Sequence, residues 1–238
     1  MNKIYPIIIL VRPQLSENIG MTARVMDNFG LSKLFIVKPR EEWPSKIAEN
    51  SAKHGKNIIK NAKIFDNLED AVSKCNMIIA TTNRKRFLSK KIITSFFDLK
   101  KTITNFQNSA ILFGPENSGL SNKDLRLANY IFTINTASSS KSLNLSHAVS
   151  VIAYELFQSE KINVFSKKNN QIVAKLELSN YLNTLINDLD SNGFFKPLEK
   201  KESMIDNIYS IYNKMYLTKK ELRMLWGIYK KLKKQPKS

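Results

Sequence analysis

The stretch from Ala110 to Leu156 decides the fold, because two apolar runs and one helical stripe follow one another there. The first run, Ile111-Leu-Phe113, breaks into Gly114-Pro-Glu-Asn-Ser-Gly-Leu120, and the second run is Tyr130-Ile-Phe-Thr-Ile134. The third piece, Ser142-Leu-Asn-Leu-Ser-His-Ala-Val-Ser150, opens a long helix. Ligands of open α/β sheets bind where strand carboxyl ends and helix amino ends collect unpaired backbone groups. This stretch therefore predicts the functional site.

The chain before this stretch alternates between apolar runs typical of buried strands and stripes typical of helices. The runs are Tyr5–Val11, Leu34–Val37 and Met77–Ala80. After the first run, helical spacing relates Ile19, Ala23, Met26 and Leu31, with Ser16 as the expected N-cap; Ser142 is the expected N-cap of the later helix. This alternation predicts an α/β fold, with a mostly parallel sheet and helices on both faces.

The sequence pattern changes at about Phe165. A polar linker, Lys167-Lys-Asn-Asn170, is followed by segments with helical patterns only. We therefore expect a first domain over residues 1–164 and a small all-helical C-terminal extension over residues 165–238. The apolar stripes of the extension can be buried against one another, against the first domain or against a second copy, and the sequence does not choose.

Composition restricts the class of protein. The chain has 238 residues, of which 42% are hydrophobic. Its longest aliphatic run, Ile7–Val11, is far shorter than the roughly 20 residues of a membrane span. A single cysteine, Cys75, argues against a disulfide framework. Neither His54 nor His147 has neighbours at metal-ligand spacing. We expect a cytoplasmic protein that has no metal and no contact with a membrane.

The net charge of +18 favours a polyanionic partner such as RNA. Lysine dominates the basic residues, and only seven are arginine. The planar fork of arginine suits phosphate in a way that lysine does not. Arg12, Arg84 and Arg86 lie just after predicted strand ends and are the candidate RNA-binding residues. The alternative to RNA binding is that these residues belong to a solvated basic loop. In that case codon drift simply left the arginines in place.

Several chemistries lack their sequence signatures. The first strand is not followed by Gly-x-Gly-x-x-Gly, and the chain has no phosphate-loop Gly-Lys-Ser/Thr, no Cys/His metal cluster and no serine nucleophile elbow. Four of the seven glycines nevertheless fall either in the stretch that decides the fold or in the helical segment after the first strand: Gly20, Gly30, Gly114 and Gly119. Close approach of the backbone is expected at these places.

Three segments in order resemble the motifs of a known family. They are Pro13-Gln-Leu-Ser-Glu-Asn-Ile-Gly-Met-Thr-Ala-Arg24, Leu112-Phe-Gly-Pro-Glu-Asn-Ser-Gly-Leu120 and Ser142-Leu-Asn-Leu-Ser-His-Ala-Val149. The chain resembles the SpoU class of SPOUT RNA 2'-O-ribose methyltransferases, and within that class the TrmJ group, which acts on cytidine or uridine at position 32 of the tRNA anticodon loop. Two further segments resemble the helical extension of that group: Gly193-Phe-Phe195 and Leu217-Thr-Lys-Lys-Glu-Leu-Arg-Met-Leu-Trp-Gly-Ile228.

The resemblance implies a C-terminal trefoil knot in the α/β domain, an obligate homodimer, tRNA as substrate and S-adenosylmethionine bound in the knot. Arg24 would be the catalytic arginine, with Asn18 and Glu116 in support. The implied cofactor-binding residues are Thr81, Thr82, Asn83, Gly114, Ile134, Ser142, Leu143 and Asn144. Asn83 and Lys141 depart from the smaller or neutral residues expected at their positions, which affects pocket details and not the class.

Two alternatives stay open at this point. One is the same chemistry on ribosomal RNA, and the other is a knotted RNA-binding protein that has lost catalysis. Arg24, Glu116 and Asn144 are all present, which speaks against the second. The role of Arg24 also has two versions, general base or electrostatic stabiliser, and the high pKa of a guanidinium favours the stabiliser.

Overall fold

A computed structural model describes residues 5–84, 90–104, 108–137, 143–158 and 172–233. Its centre is a seven-stranded sheet with the order β3-β2-β1-β6-β4-β7-β5. Every pair of neighbouring strands is parallel, which confirms the predicted sheet type. The strands are β1 (Ile7–Val11), β2 (Leu34–Val37), β3 (Lys63–Phe65), β4 (Met77–Thr81), β5 (Lys91–Ile93), β6 (Ser109–Phe113) and β7 (Tyr130–Phe132).

Helices cover both faces of this sheet, as predicted. The shorter ones connect strands, and the longest lie towards the C-terminus. They are α1 (Ser16–Asn28), α2 (Lys46–Ala52), α3 (Lys56–Lys60), α4 (Leu68–Val72), α5 (Phe96–Thr104), α6 (Asn122–Arg126), α7 (Leu145–Phe157), α8 (Lys175–Ser191), α9 (Lys201–Met215) and α10 (Lys219–Lys233).

The two faces of β1 show how the core is divided, because successive side chains of a strand point to opposite sides. Ile8 and Leu10 pack with α1, α2, α3, α5 and α7. Ile9 and Val11 pack with α4 and α6, and also with α8, α9 and α10. The C-terminal helices thus bury their apolar stripes on the second face of the sheet, which answers the question that the sequence left open.

Polar contacts accompany this packing of the C-terminal helices. The guanidinium of Arg126 on α6 donates to Asp206 at 2.6 Å and to Glu202 at 2.7 Å, both on α9. At the start of α8, the backbone N–H of Lys175 donates to the carbonyl oxygen of Cys75 at 2.9 Å. These bonds satisfy groups that burial would otherwise leave unpaired, so the extension is docked at defined points.

Two helix starts differ from the prediction. Leu15 occupies the N-cap position of α1 and makes no side-chain cap bond, while the backbone N–H of Ser16 donates to Glu41 at 2.8 Å. Asn144 caps α7 through its side chain, which accepts from the N–H of Ser146. Ser16 was therefore wrong as a cap, and α7 begins at Leu145, three residues after Ser142, which itself lies outside the described residues.

Two lysine side chains are buried at the interface with the extension. The ammonium of Lys90 donates to the carbonyl oxygens of Arg126 and Ala128 at 3.0 and 2.8 Å. The ammonium of Lys175 donates to Asn213 Oδ1. Burial disfavours the charged forms and lowers the pKa of each lysine to about 7, and the nearby charge of Lys90 adds to the effect on Lys175.

We expect the free energy of unfolding to rise between about pH 7 and pH 8.5, because both lysines have a lower pKa in the folded chain than in the unfolded chain. The unfolded chain then binds more protons, so stability increases with pH, by at most about 1.4 kcal/mol per pH unit for each lysine. Lys175→Met should lower this slope by about 1 kcal/mol per pH unit. Urea unfolding measures the slope; Lys220→Met, at an exposed position of α10, is the control. An unchanged slope in Lys175→Met would contradict the prediction.

Candidate functional site

A cavity of about 1030 Å³ opens at the carboxyl end of the sheet, next to β4, β6 and β7. These three strands are neighbours in the sheet although they are separated in sequence, so the loops that follow them meet. The amino end of α7 completes the wall with Leu143, Leu145 and Ala148. The volume is at the upper end of the usual range for small-molecule sites, about 300–1000 Å³.

Hydrogen bonds connect the strand ends and loops that form the walls of the cavity. The hydroxyl of Thr81 donates to the carbonyl oxygen of Leu112 at 2.8 Å, and the hydroxyl of Thr133 donates to the carbonyl oxygen of Thr82 at 2.8 Å. Arg84 Nη2 donates to the carbonyl oxygen of Asn117 at 3.0 Å. The loop after β4 is therefore joined to the loops after β6 and β7.

Gly114 has no room for a side chain. A Cβ built there lies 2.3 Å from the backbone nitrogen of Leu120 and 2.6 Å from the carbonyl carbon of Gly119, and backbone atoms cannot rotate away. The loop from residue 114 to 121 therefore folds back on itself against β6. Gly119 makes this return possible with a φ of +65°, a left-handed conformation that costs glycine little.

A polar network lies at the rim of the cavity around Glu116. One oxygen of its carboxylate accepts from the side-chain amide of Asn18 at 2.6 Å, and the other accepts from the backbone N–H of Gln14 at 2.9 Å. Asn18 in turn accepts at its Oδ1 from the amide of Asn144 at 3.0 Å. Residues from all three sequence motifs thus contact one another.

The predicted site residues fall into four groups, the last of which is the pair of arginines Arg24 and Arg12. Those that line the cavity are Thr81, Thr82, Asn83, Arg84, Gly114, Glu116, Ile134 and Leu143. Asn18 and Asn144 are joined to Glu116 through the network. Ser142, Lys141 and Arg86 lie outside the described residues.

Arg24 and Arg12 occupy other positions. Arg24 is exposed on α1 and is not among the described residues that line the cavity. The guanidinium of Arg12 forms a two-bond ion pair with Asp124 on α6. Contact of Arg12 with RNA stays a prediction.

Sequence reasoning missed several residues of the site. Gln14 acts through its backbone, which no side-chain pattern reveals. Asp124 had a detectable signal, because Ser121 and Asp124 have the spacing of a capping box, and both of its bonds are present. Gln14 and Asp124 do not line the cavity; the lining residues that were not predicted are Phe113, Pro115, Asn117, Gly119, Asn135, Thr136, Ala137, Leu145 and Ala148.

The described part of the chain holds no group of three or more His, Cys, Asp or Glu side chains able to bind a metal ion. Within the same ranges, no helix has the length and apolar character needed to cross a bilayer.

Comparison with known proteins identifies the family. Residues 5–154 match the model of the SpoU rRNA Methylase family, which is more than half of the chain. A tRNA (cytidine-2'-O-)-methyltransferase TrmJ of Methanocaldococcus jannaschii is 30% identical over 94% of this chain and 97% of its own length. A tRNA (cytidine/uridine/adenosine-2'-O-)-methyltransferase TrmJ of Pseudomonas aeruginosa is 29% identical over 93% of this chain and 91% of its own length.

A solved structure agrees over almost the whole chain. The crystal structure of TrmJ from Z. mobilis ZM4 superposes with a TM-score of 0.88 at 35% identity and covers 97% of this chain and 100% of that one. That likeness includes the C-terminal helices as well as the sheet. With the matched motifs meeting around one cavity, the chain is a methyltransferase that belongs to the SpoU rRNA methylase family.

Proposed function

We propose that this protein transfers the methyl group of S-adenosylmethionine to the ribose 2'-hydroxyl of cytidine or uridine at position 32 of the tRNA anticodon loop. The observation that carries the proposal is the meeting of three strand-end loops around one cavity, with the Glu116 network at its rim. The names of the TrmJ relatives support tRNA as the substrate and cytidine or uridine as the methylated nucleoside.

The cavity suits S-adenosylmethionine. Gly114 brings backbone to the wall at a place where a side chain has no room, and small or apolar groups such as Ile134 and Leu143 supply contacts for an adenine ring. Thr81, Thr82 and Asn83 add polar atoms on one side. When bound, this cofactor supplies an activated methyl group on sulfur, which the ribose oxygen accepts as the carbon–sulfur bond breaks.

The residues at the rim position the acceptor ribose, and Arg24 stabilises the negative charge that develops on its oxygen. Glu116 is held from two sides by Asn18 and Gln14, so its carboxylate has a defined orientation before the substrate arrives. In the proposed role Arg24, which is exposed on α1 outside the described lining of the cavity, orients the phosphate and stabilises negative charge that develops on the ribose oxygen. The hydroxyl proton leaves to a neighbouring group or to water, because a guanidinium is a poor base near neutral pH.

Positive charge supports a tRNA substrate. The net charge of the chain is +18, and Arg84 is exposed at the edge of the cavity. Together with Arg86, it would contact the phosphate backbone next to the acceptor nucleotide. The third arginine named from the sequence, Arg12, has its guanidinium paired with Asp124. A cytoplasmic location follows from this substrate.

The experiment that tests the function is methyl transfer from labelled S-adenosylmethionine to separate pools of tRNA and ribosomal RNA. We expect label in tRNA, and a bond after nucleotide 32 that resists alkaline hydrolysis. Label in ribosomal RNA alone would support the alternative suggested by the name of the matched family. RNA binding without any label would support an inactive RNA-binding protein.

We also propose a homodimer built on a knotted domain over residues 1–164, with residues 165–238 as a helical extension. An exposed apolar surface, the α1–α7 face, supports the dimer. It contains Met21 on α1 with 37% exposure, and Tyr154 and Phe157 on α7 with 48% and 41%. Phe29 packs on both aromatic rings of α7, at centroid distances of 5.9 and 5.8 Å. A second copy of the chain would bury this face.

Tyr154→Glu is expected to weaken the dimer at least about tenfold, because removal of a buried aromatic side chain and burial of a charge both oppose association. Light scattering coupled to gel filtration over a dilution series measures the change. Ile228→Glu, at an equally exposed position of α10, is the matched control and should leave the dimer intact. A wild-type monomer, or a Tyr154→Glu dimer of unchanged affinity, would contradict the prediction.

A further inference from the structure

We propose that Arg12 and Asp124 form a positioning pair that holds the loop between β6 and α6 in the shape that binds the methyl donor. The loop, residues 114–121, supplies five of the residues that line the cavity: Gly114, Pro115, Glu116, Asn117 and Gly119. The inference rests on the proposed function, since it names the residues that support its cofactor site.

The pair joins the end of β1 to the first turn of α6. Arg12 Nη1 donates to Asp124 Oδ1 at 3.1 Å, and Arg12 Nη2 donates to the other carboxylate oxygen. The side chain of Asp124 is only 6% exposed, and that of Arg12 is 38% exposed. A two-bond pair between a guanidinium and a largely buried carboxylate fixes both distance and orientation.

Asp124 passes this restraint directly to the loop. Its Oδ2 accepts from the backbone N–H and from the hydroxyl of Ser121, both at 2.7 Å, and Ser121 is the last residue of the loop. Burial by itself would raise the pKa of Asp124, but hydrogen bonds from Arg12 and Ser121 outweigh it and lower that pKa. The carboxylate is therefore ionised and accepts all of these bonds.

The backbone conformation of Arg12 is unusual for a residue that has a side chain. Arg12 has a φ of +50°, in the left-handed region that residues other than glycine rarely adopt. Its N–H donates to the carbonyl oxygen of Val37 at 2.8 Å, and its carbonyl oxygen accepts from the side chain of Gln14 at 2.9 Å. Glycine would adopt this turn more easily, but it would lose the bond to α6.

The cofactor loop is thus restrained at both ends by the segment that follows β1. Near its start, Glu116 accepts from Gln14 and Asn18; at its end, Asp124 accepts from Arg12. Between these points lies the left-handed turn at Gly119. When the far restraint is lost, the turn can relax and withdraw backbone from the cavity wall. Arg12 acts through the loop and does not itself line the cavity.

This role and a role in RNA binding predict opposite results for Asp124→Asn. If Arg12 binds a phosphate, removal of the carboxylate frees its guanidinium and tightens RNA binding. If Arg12 positions the loop, the same change weakens S-adenosylmethionine binding as much as loss of Arg12 does. Asparagine keeps the capping contacts of α6, so the helix start is retained.

The test uses Arg12→Gln, Asp124→Asn and the double variant, with calorimetric titration of S-adenosylmethionine in the absence of RNA. We expect each single change to raise the Kd about tenfold, and the double change to raise it no more than about twofold further, because the two residues act as one unit. Arg12→Lys, which keeps the charge without the fork, should lie between wild type and Arg12→Gln. Arg223→Gln on α10 is the control and should leave this Kd unchanged.

Kinetics and RNA affinity separate positioning from other roles. At saturating S-adenosylmethionine we expect kcat to stay within about threefold of wild type while the KM for the cofactor rises about tenfold. The Kd for tRNA should stay within about twofold for both single variants. The proposal is overturned if the cofactor Kd of Arg12→Gln and Asp124→Asn equals that of wild type, or if their effects add fully. It is equally overturned if Asp124→Asn tightens tRNA binding. Absence of methyl transfer by wild type would refute the proposed function alone, because the cofactor titration needs no RNA.

Discussion

Arg24→Ala is expected to lower kcat for tRNA methylation by about 10²–10³-fold, while the Kd for S-adenosylmethionine stays within about twofold. The affinity should be preserved because Arg24 is exposed on α1 and is not among the described residues that line the cavity. The loss of rate should be large because, in the proposed role, the Arg24 guanidinium lies beside the acceptor and stabilises charge that appears only in the transition state.

The conservative variant tests the chemistry of Arg24. A guanidinium holds its proton far above neutral pH, so its use as the base would cost on the order of 7 kcal/mol. Stabilisation of the oxyanion and orientation of the phosphate need no loss of that proton. We therefore expect Arg24→Lys to lose at least about tenfold in single-turnover rate, because an ammonium lacks the planar fork. Near-complete activity of Arg24→Lys would contradict a guanidinium-specific role; Arg223→Lys is the matched control.

Gly114→Ala is expected to raise the Kd for S-adenosylmethionine by about 10–100-fold, which corresponds to the usual cost of overpacking, about 1–3 kcal/mol. The added Cβ would lie 2.3 Å from the nitrogen of Leu120 and 2.6 Å from the carbonyl carbon of Gly119. Both are backbone atoms of the loop that lines the cavity, so the loop has to move as a whole. Calorimetric titration of the cofactor measures the effect.

Gly227→Ala is the matched control for this change. A Cβ at Gly227 meets nothing within 4 Å, and the residue lies within α10 at a distance in sequence from every predicted site residue. We expect unchanged cofactor affinity and a gain in stability of about 0.5–1 kcal/mol, because alanine favours a helix interior. Wild-type affinity in Gly114→Ala would show that the loop tolerates displacement and would contradict its proposed part in the cavity.

Long strands and helices with a regular apolar pattern were predicted more accurately than short or irregular ones. The apolar runs that became β1, β2, β4 and β6 were predicted within two residues, because each is a run of mainly apolar side chains. The strand β5 was missed: two of its three residues are exposed, and it pairs only with β7 at the sheet edge. The helix α6 has five residues and no stripe to detect.

The site residues, like the strands and helices, were predicted with unequal success. Thr81, Gly114, Ile134 and Leu143 were named from the resemblance to the family, and the structure brings all four to one cavity. The pairing of Asp124 with Arg12 was not predicted, since the two residues are 112 positions apart and no local pattern connects them.

The sequence by itself determined the class of fold, the positions of the longer strands and helices, and the segments that form the site, because these depend on periodicity and on interactions between near neighbours. Only the tertiary structure decided which strand ends are adjacent, that α8, α9 and α10 cover the second face of the sheet, and that Arg12 pairs with Asp124. Those outcomes depend on contacts between residues far apart in the chain, and the free energy of such contacts is set by the packing of the whole molecule.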